Sequence, residues 1–154
     1  MRNVAAEAGL TTGSLTHYFP DKSSLLLHTL QTSLEHRHSQ RSNDDLPPVA
    51  ALRATLLSAL PLDDDRRRHW LVTMAFCAEA VADPRLAIAQ RDAYRSFHRR
   101  VADAARRCAA APDETADRLI AAVDGVAVQA LFDPQRWTAD RQTAVLDAAL
   151  RQLA

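Results

Sequence analysis

The sequence predicts an all-α protein, a short helix-turn-helix head followed by an antiparallel helical bundle. Three observations predict it. Only three glycines occur, at Gly9, Gly13 and Gly125. The prolines stand mostly where helices would begin. No run of β-branched residues alternates with polar ones, while Ala, Leu and Arg dominate.

The punctuation then places each helix. Arg2–Ala8 is short and stops at Gly9, a residue that enters the left-handed region cheaply. Thr11 can cap the next helix, which ends at Phe19 before Pro20. Asp21 caps a longer one over residues 22–40. Residues 42–48 form a polar, proline-containing connector, and Pro47 and Pro48 suit the first turn of a helix reaching Leu60. Asp63, Asp64 and Asp65 put negative charge at the start of a helix reaching Ala82. Asp83–Pro84 opens a helix to Ala109, and Asp113 opens one to Phe132. Asp133–Pro134 breaks that helix. Thr138 caps the last, to Leu153. The best domain boundary falls at the connector, giving a head over residues 1–42 and a second domain over 43–154.

Whole-chain properties narrow the function. With 47 % hydrophobic residues in 154, a real core can form. The formal net charge is zero, so attraction to nucleic acid or anionic lipid must be local. Cys77 and Cys108 lie far apart, which suits reduced thiols in a cytoplasmic protein and offers no metal-ligand spacing. The apolar stretch Leu71–Ala82 is too short to span a membrane and is interrupted by Glu79. Glu7 likewise interrupts any apolar region of a signal peptide. No nucleophile triad, paired carboxylates in a glycine-rich setting or phosphate loop occurs, so neither an enzyme nor a cofactor is expected. His36 and His38, two apart, diverge on a helix, so no metal site is expected there.

The informative stretch runs from Val4 to Lys22. Two helices cross steeply over a turn at Gly9, with Ala5 small enough for a close approach. Val4, Ala8, Leu10 and Leu15 are expected to form the apolar core between them. Thr11, Thr12, Gly13, Ser14, Thr16 and His17 are small or polar and leave the outer face open. Such a face can enter the major groove. Thr12, Thr16 and His17 are the candidate base readers. Tyr18, Lys22 and Ser14 are candidate phosphate contacts, Lys22 at a helix start that also favours an anion. The head is near neutral (Arg2, Lys22, Arg37 and Arg41 against Glu7, Asp21 and Glu35), so DNA binding should depend only shallowly on salt.

The run Ala8-Gly9-Leu10-Thr11-Thr12-Gly13-Ser14-Leu15, then Tyr18-Phe19-Pro20-Asp21-Lys22 and the leucines 25–27, resembles the DNA-binding domain of the TetR family. Thr16 stands where that family usually has tyrosine. Residues 124–134 resemble the penultimate helix of BetI-like members, and Trp70 to Glu79 their central helix. The resemblance implies a ligand-responsive DNA-binding regulator, usually a repressor released from its operator by a small apolar or amphipathic molecule. It also implies a homodimer. The apolar stripes Leu119, Val123, Val126, Ala127 and Ala130, and Leu146, Ala149, Leu150 and Leu153, face the chain's own core when read by pattern alone. The resemblance instead implies that they pair across a two-fold axis. Trp70, Met74, Phe76, Cys77, Tyr94, Phe97 and His98 are candidates to line the effector pocket, with Glu79 and His98 as polar anchors.

TetR-type heads normally open with a further helix before the one at Arg2–Ala8, and here Met1 falls at the start of the motif. Either the start is assigned too late or the chain is truncated, and in the second case the alternative to a repressor is a helical dimer that binds ligand or protein and has lost DNA binding. An incomplete head should be loose, because so small a unit buries little surface. Amide hydrogen exchange is expected to be faster over Met1–Pro20 than over the C-terminal helices. Equal protection in the two regions would contradict this.

Overall fold

The computed structural model describes residues 1–38 and 45–152, without the side chains of 33–38. Leu153, Arg41, the first part of the connector, and the side chains of Glu35, His36, Arg37 and His38 lie outside the described residues. Within them the chain forms eight helices and no strand: α1 Arg2–Glu7, α2 Thr12–Tyr18, α3 Lys22–His38, α4 Pro48–Leu57, α5 Asp64–Ala80, α6 Pro84–Ala105, α7 Pro112–Phe132 and α8 Ala139–Arg151.

Short polar side chains start most of these helices, where backbone N–H groups lack partners inside the helix. Thr11 Oγ1 accepts from the Ser14 amide at 3.0 Å, and Asp21 Oδ1 from the Ser24 amide at 2.7 Å. Asp63 accepts from the Arg66 amide, Asp83 from the Arg85 amide and Thr138 from the Arg141 amide. Pro48, Pro84 and Pro112 begin α4, α6 and α7, where no amide hydrogen is required. Gly9, at φ +67°, turns the chain between α1 and α2. Helices α4, α5 and α6 stop earlier than the sequence predicts: α4 ends at Leu57 rather than Leu60, α5 at Ala80 rather than Ala82, and α6 at Ala105 rather than Ala109. After α4 the chain turns and packs Ala59 and Leu60 inward, and after α6 it turns at exposed Arg106 and Arg107 with Cys108 and Ala109 partly buried against the core.

The chain forms two compact units. One comprises Met1–Gln40 with Ala75–Arg91, the other Arg41–Met74 with Asp92–Ala154. The boundary expected at the connector leaves Ala75–Arg91 in the second domain, whereas these residues cluster with the head. That segment is the end of α5, the turn and the start of α6. Its Phe76, Ala80 and Leu86 bury Leu30 of α3, with Leu26 and Leu27 alongside.

The second unit has the larger core. Leu52 and Leu56 of α4, Val101, Ala102 and Ala105 of α6, and Leu119, Val123 and Ala127 of α7 meet Leu146 and Leu150 of α8. Polar groups tie its helix ends. Arg66 donates to the Leu57 carbonyl at the end of α4. Arg67 donates to the carbonyls of Ala130 (2.9 Å) and Leu131 (2.7 Å), which the last turn of α7 leaves without intrahelical partners. The Arg53 guanidinium holds Asp147 through two bonds, 2.6 and 3.1 Å, linking α4 to α8. Buried Gln142 donates to the carbonyls of Trp137 and Pro61. No helix among the described residues is long and apolar enough to cross a membrane.

Arg67→Met removes a charged donor from two carbonyls and leaves them to solvent or to nothing. It should cost about 2 kcal/mol. Urea unfolding followed by the fluorescence of Trp70 and Trp137, both in the second unit, checks this; an unchanged midpoint would contradict it.

Candidate nucleic-acid interface and the second unit

The head is built on one close crossing. Ala5 of α1 and Leu15 of α2 are its buried side chains, 1 % and 5 % exposed. Val4 and Leu10, expected in the same core, are 44 % and 47 % exposed, and Ala8 is also exposed. The reason is geometric. Helices this short touch along one line, and Val4 and Ala8, four residues apart, share a face turned away from it.

All eight predicted DNA-binding residues are exposed: Thr11, Thr12, Gly13, Ser14, Thr16, His17, Tyr18 and Lys22. Seven lie on α2 or its cap and form one open surface. Their hydrogen bonds divide them by role. Thr11 and Ser14 are joined hydroxyl to hydroxyl at 2.9 Å, so they chiefly build the cap. Thr16 donates its hydroxyl back to the carbonyls of Thr12 and Gly13, both at 3.0 Å. It keeps a methyl group and acceptor lone pairs for an outside partner, but no donor. The His17 and Tyr18 rings pack edge to face at 5.4 Å. Tyr18 is 74 % exposed, its hydroxyl at the rim of the helix. Phe19 closes α2 and packs on His28 of α3, 5.3 Å between ring centres.

Lys22 is not an isolated rim cation. It pairs with Glu79 near the end of α5. Its neighbours are bound to the same hairpin. Ser23 donates to Asp83 at 2.6 Å, and Arg85 reaches both Asp21 and Asp83 at 3.4 Å. The Ser24 amide, more than Arg85, holds the Asp21 carboxyl below its ordinary range. The Ser23 hydroxyl does the same for Asp83, helped by the Arg85 amide. Sequence reasoning identified Asp21 and Asp83 only as caps. Their second bonds join residues some sixty positions apart, which spacing cannot reveal.

The predicted effector-lining residues are not gathered in one unit. Phe76, Cys77 and Glu79 belong to the N-terminal unit; Phe76 is core and Glu79 is the Lys22 partner. Trp70, Met74, Tyr94, Phe97 and His98 belong to the second. There, Trp70 is buried and donates its indole N–H to the Ala59 carbonyl at 2.7 Å. Met74 and Phe97 pack partly buried against the same core. Tyr94 and His98, one turn apart on α6, meet Asp124 (3.2 Å) and Asp117 (3.1 Å) of α7. Burial pushes the Asp124 carboxyl up, offset in part by the Tyr94 hydroxyl. Asp124 was not singled out from sequence. Among the described residues no cluster of His, Cys, Asp and Glu is arranged to hold a metal ion.

The stripes implied as a dimer face lie inside the subunit. Leu119, Val123, Val126, Ala127, Ala130, Leu146 and Leu150 are buried, and Ala149 packs partly buried beside them. Residues of α4 and α6 pack against this band within one chain. The exposed residues of α7 are Asp113, Glu114, Asp117 and Arg118 in its first half and Ala121, Gly125, Gln129 and Phe132 in its second, the last 83 % exposed, with Val128 half-buried among them. A Cβ placed on Gly125 would meet nothing within 4 Å. A lone glycine inside a strong helical pattern was the available signal.

Residues 48–154 match the model of the C-terminal domain of BetI-type transcriptional repressors, and residues 1–29 that of bacterial regulatory proteins of the tetR family. The HTH-type transcriptional regulator PksA of Bacillus subtilis (strain 168) is 30 % identical over 161 aligned positions, covering 94 % of this chain and 75 % of that protein. A transcriptional regulator of Rhodococcus sp. Rha1 superposes with a TM-score of 0.92 at 26 % identity, over 99 % of this chain and 83 % of that one. A regulator of Saccharomonospora viridis solved with choline gives 0.81 at 21 % identity, over 96 % and 82 %.

The two lowered carboxyls carry a pH signature. A depressed folded pKa stabilises at pH above the ordinary aspartate value of 3.8. That stabilisation is lost as the pH falls through the lowered folded values. The Ser24 amide resonance of the N-terminal unit should therefore stay constant down to this value and shift only below it. A midpoint at or above the ordinary aspartate range would contradict the hydrogen bonding described.

Proposed function

The chain belongs to the TetR family of bacterial transcription regulators, and from that membership we propose that two copies of it hold an operator duplex and release it when a small molecule binds. The observation that carries this reading is the open outer surface of α2. A helix opened by a Thr11 cap, with Thr12, Gly13, Thr16 and His17 outward, has nothing of its own chain to bury there. Its side chains are short enough for the helix to sit deep in a major groove. Thr12 and His17 offer polar groups to base edges, Thr16 a methyl group and an acceptor. Tyr18 and Lys22 hold phosphates and fix the register.

The partner copy is placed on the outward face of α7, through Ala121, Gly125, Val128 and Phe132, with Val145 and Ala148 on the outward side of α8. Gly125 supports this. Glycine inside a helix costs about 0.5–1 kcal/mol against alanine, and no atom of its own chain requires it there. A second helix passing close to the backbone would. Pairing in this way presents two recognition helices to half-sites about one duplex turn, ~34 Å, apart.

For the effector we propose a small amphipathic molecule bound among α5, α6 and α7 of the second unit, in reach of Tyr94 and Asp124. A half-buried carboxylate favours an organic cation, the class to which the choline of the Saccharomonospora regulator belongs. Binding shifts α5 and α6, whose Ala75–Arg91 segment clasps the start of α3, and the two heads change separation. The ligand must bind the two arrangements with different affinity for this to work. The role is regulatory rather than catalytic, and cytoplasmic.

Selection of duplexes from fragments of the host genome, with and without small molecules added, tests the whole reading. Recovery of no duplex would overturn it. The dimer is tested separately. Gly125→Glu should leave the subunit folded, yield monomers by sedimentation velocity and abolish tight operator binding. A dimeric Gly125→Glu protein would sink the proposed interface.

A further inference from the structure

We propose that Glu79 sets how tightly this protein holds DNA, by competing with the phosphate backbone for the Lys22 ammonium. The inference rests on the reading of Lys22 as a phosphate contact and gives that contact a built-in opponent. Lys22 is the only lysine in the chain. It opens α3, where the positive helix end disfavours a cation, and Glu79 closes α5, where the negative end disfavours an anion. Neither charge serves its own helix. Each is placed where its helix opposes it, and the two are paired with one another.

The pair is suited to being exchanged. Both side chains are about half exposed, 58 % and 46 %, so a phosphate can reach the ammonium from solvent. An exposed ion pair of this kind is worth only about 0.2–1 kcal/mol, so it gives way to a stronger partner while still weakening the bound state. The surroundings do not compensate. Asp21, Glu79 and Asp83 are three carboxylates against the two cations Lys22 and Arg85, so the cluster carries one net negative charge facing an incoming phosphate. Neutralising Glu79 brings that balance to zero and frees Lys22. Glu79 thus acts as a positioning residue for the phosphate contact and touches no base.

The test is a double-mutant cycle read by fluorescence anisotropy, on a duplex selected by the wild-type protein from a random pool. Glu79→Gln is expected to tighten binding up to about fivefold. It should steepen the dependence of log K on log salt by up to about 0.9, one phosphate's worth. Lys22→Met should weaken binding, and Glu79→Gln added to Lys22→Met should then tighten it much less than in the wild-type background, leaving only the small effect of one exposed charge fewer. The preference for the selected duplex over a scrambled one should stay the same throughout, because backbone contacts carry no sequence information. Unchanged or weaker binding by Glu79→Gln overturns the proposal. So does an equal tightening in the Lys22→Met background, which would mark a general charge effect. If the wild-type protein binds neither selected nor mixed-sequence duplex, the DNA-binding reading fails and takes the proposal with it.

Discussion

The N-terminal unit depends on one clasp. The hairpin formed by the end of α5, its turn and the start of α6 closes over α3 with Phe76, Ala80 and Leu86 against Leu30. The first residues of α3 are bound to that hairpin one after another: Asp21 by Arg85, Lys22 by Glu79 and Ser23 by Asp83. Without it, α1 and α2 would bury only Ala5 and Leu15 between them, too little to hold a reading surface in place. The helix-turn-helix therefore has its orientation fixed through α3 by residues more than fifty positions away in the chain.

Aspartate does two jobs in this architecture. At Asp21, Asp63, Asp83 and Asp133 a carboxylate accepts from a backbone amide two or three residues on. That local bond is written in the sequence, because an Asp before a helical run has few better options. The other oxygen of Asp21 and Asp83 then takes a long-range partner. The cap holds the carboxylate in one orientation, so less entropy remains to be lost when Ser23 or Arg85 binds it. The lowered pKa of each group records both bonds.

The apolar stripes of α7 and α8 show where periodicity is blind. Val123, Val126 and Leu146 repeat at helical spacing whether they face a partner copy or their own chain. Pattern gives the phase of a face relative to its neighbours, never what covers it. Here α4 and α6 pack against the strongest stripe, which leaves the weaker one, with Ala121 and Gly125, exposed. The exposed Phe132 at its end is a large apolar side chain with little of its own subunit around it.

Local chemistry made much of the protein legible in advance. Caps at Thr11, Asp21, Asp83 and Thr138, prolines at helix starts and the left-handed Gly9 placed every helix, because each signal acts within four residues of itself. The open surface of α2 was legible for the same reason, small and polar residues all round the helix except at Leu15. Helix ends were harder, as at Leu57 and Ala105, where tertiary packing of the following turn outweighs the propensity to continue. What only the folded chain decided was which distant groups meet. It paired Glu79 with Lys22, placed Phe76 in one unit and Trp70, Tyr94 and Phe97 in the other, and brought α4 and α6 against the apolar stripe of α7. The sequence encodes such choices only in the sum of many weak burial and pairing energies, and no spacing rule along the chain can read that sum.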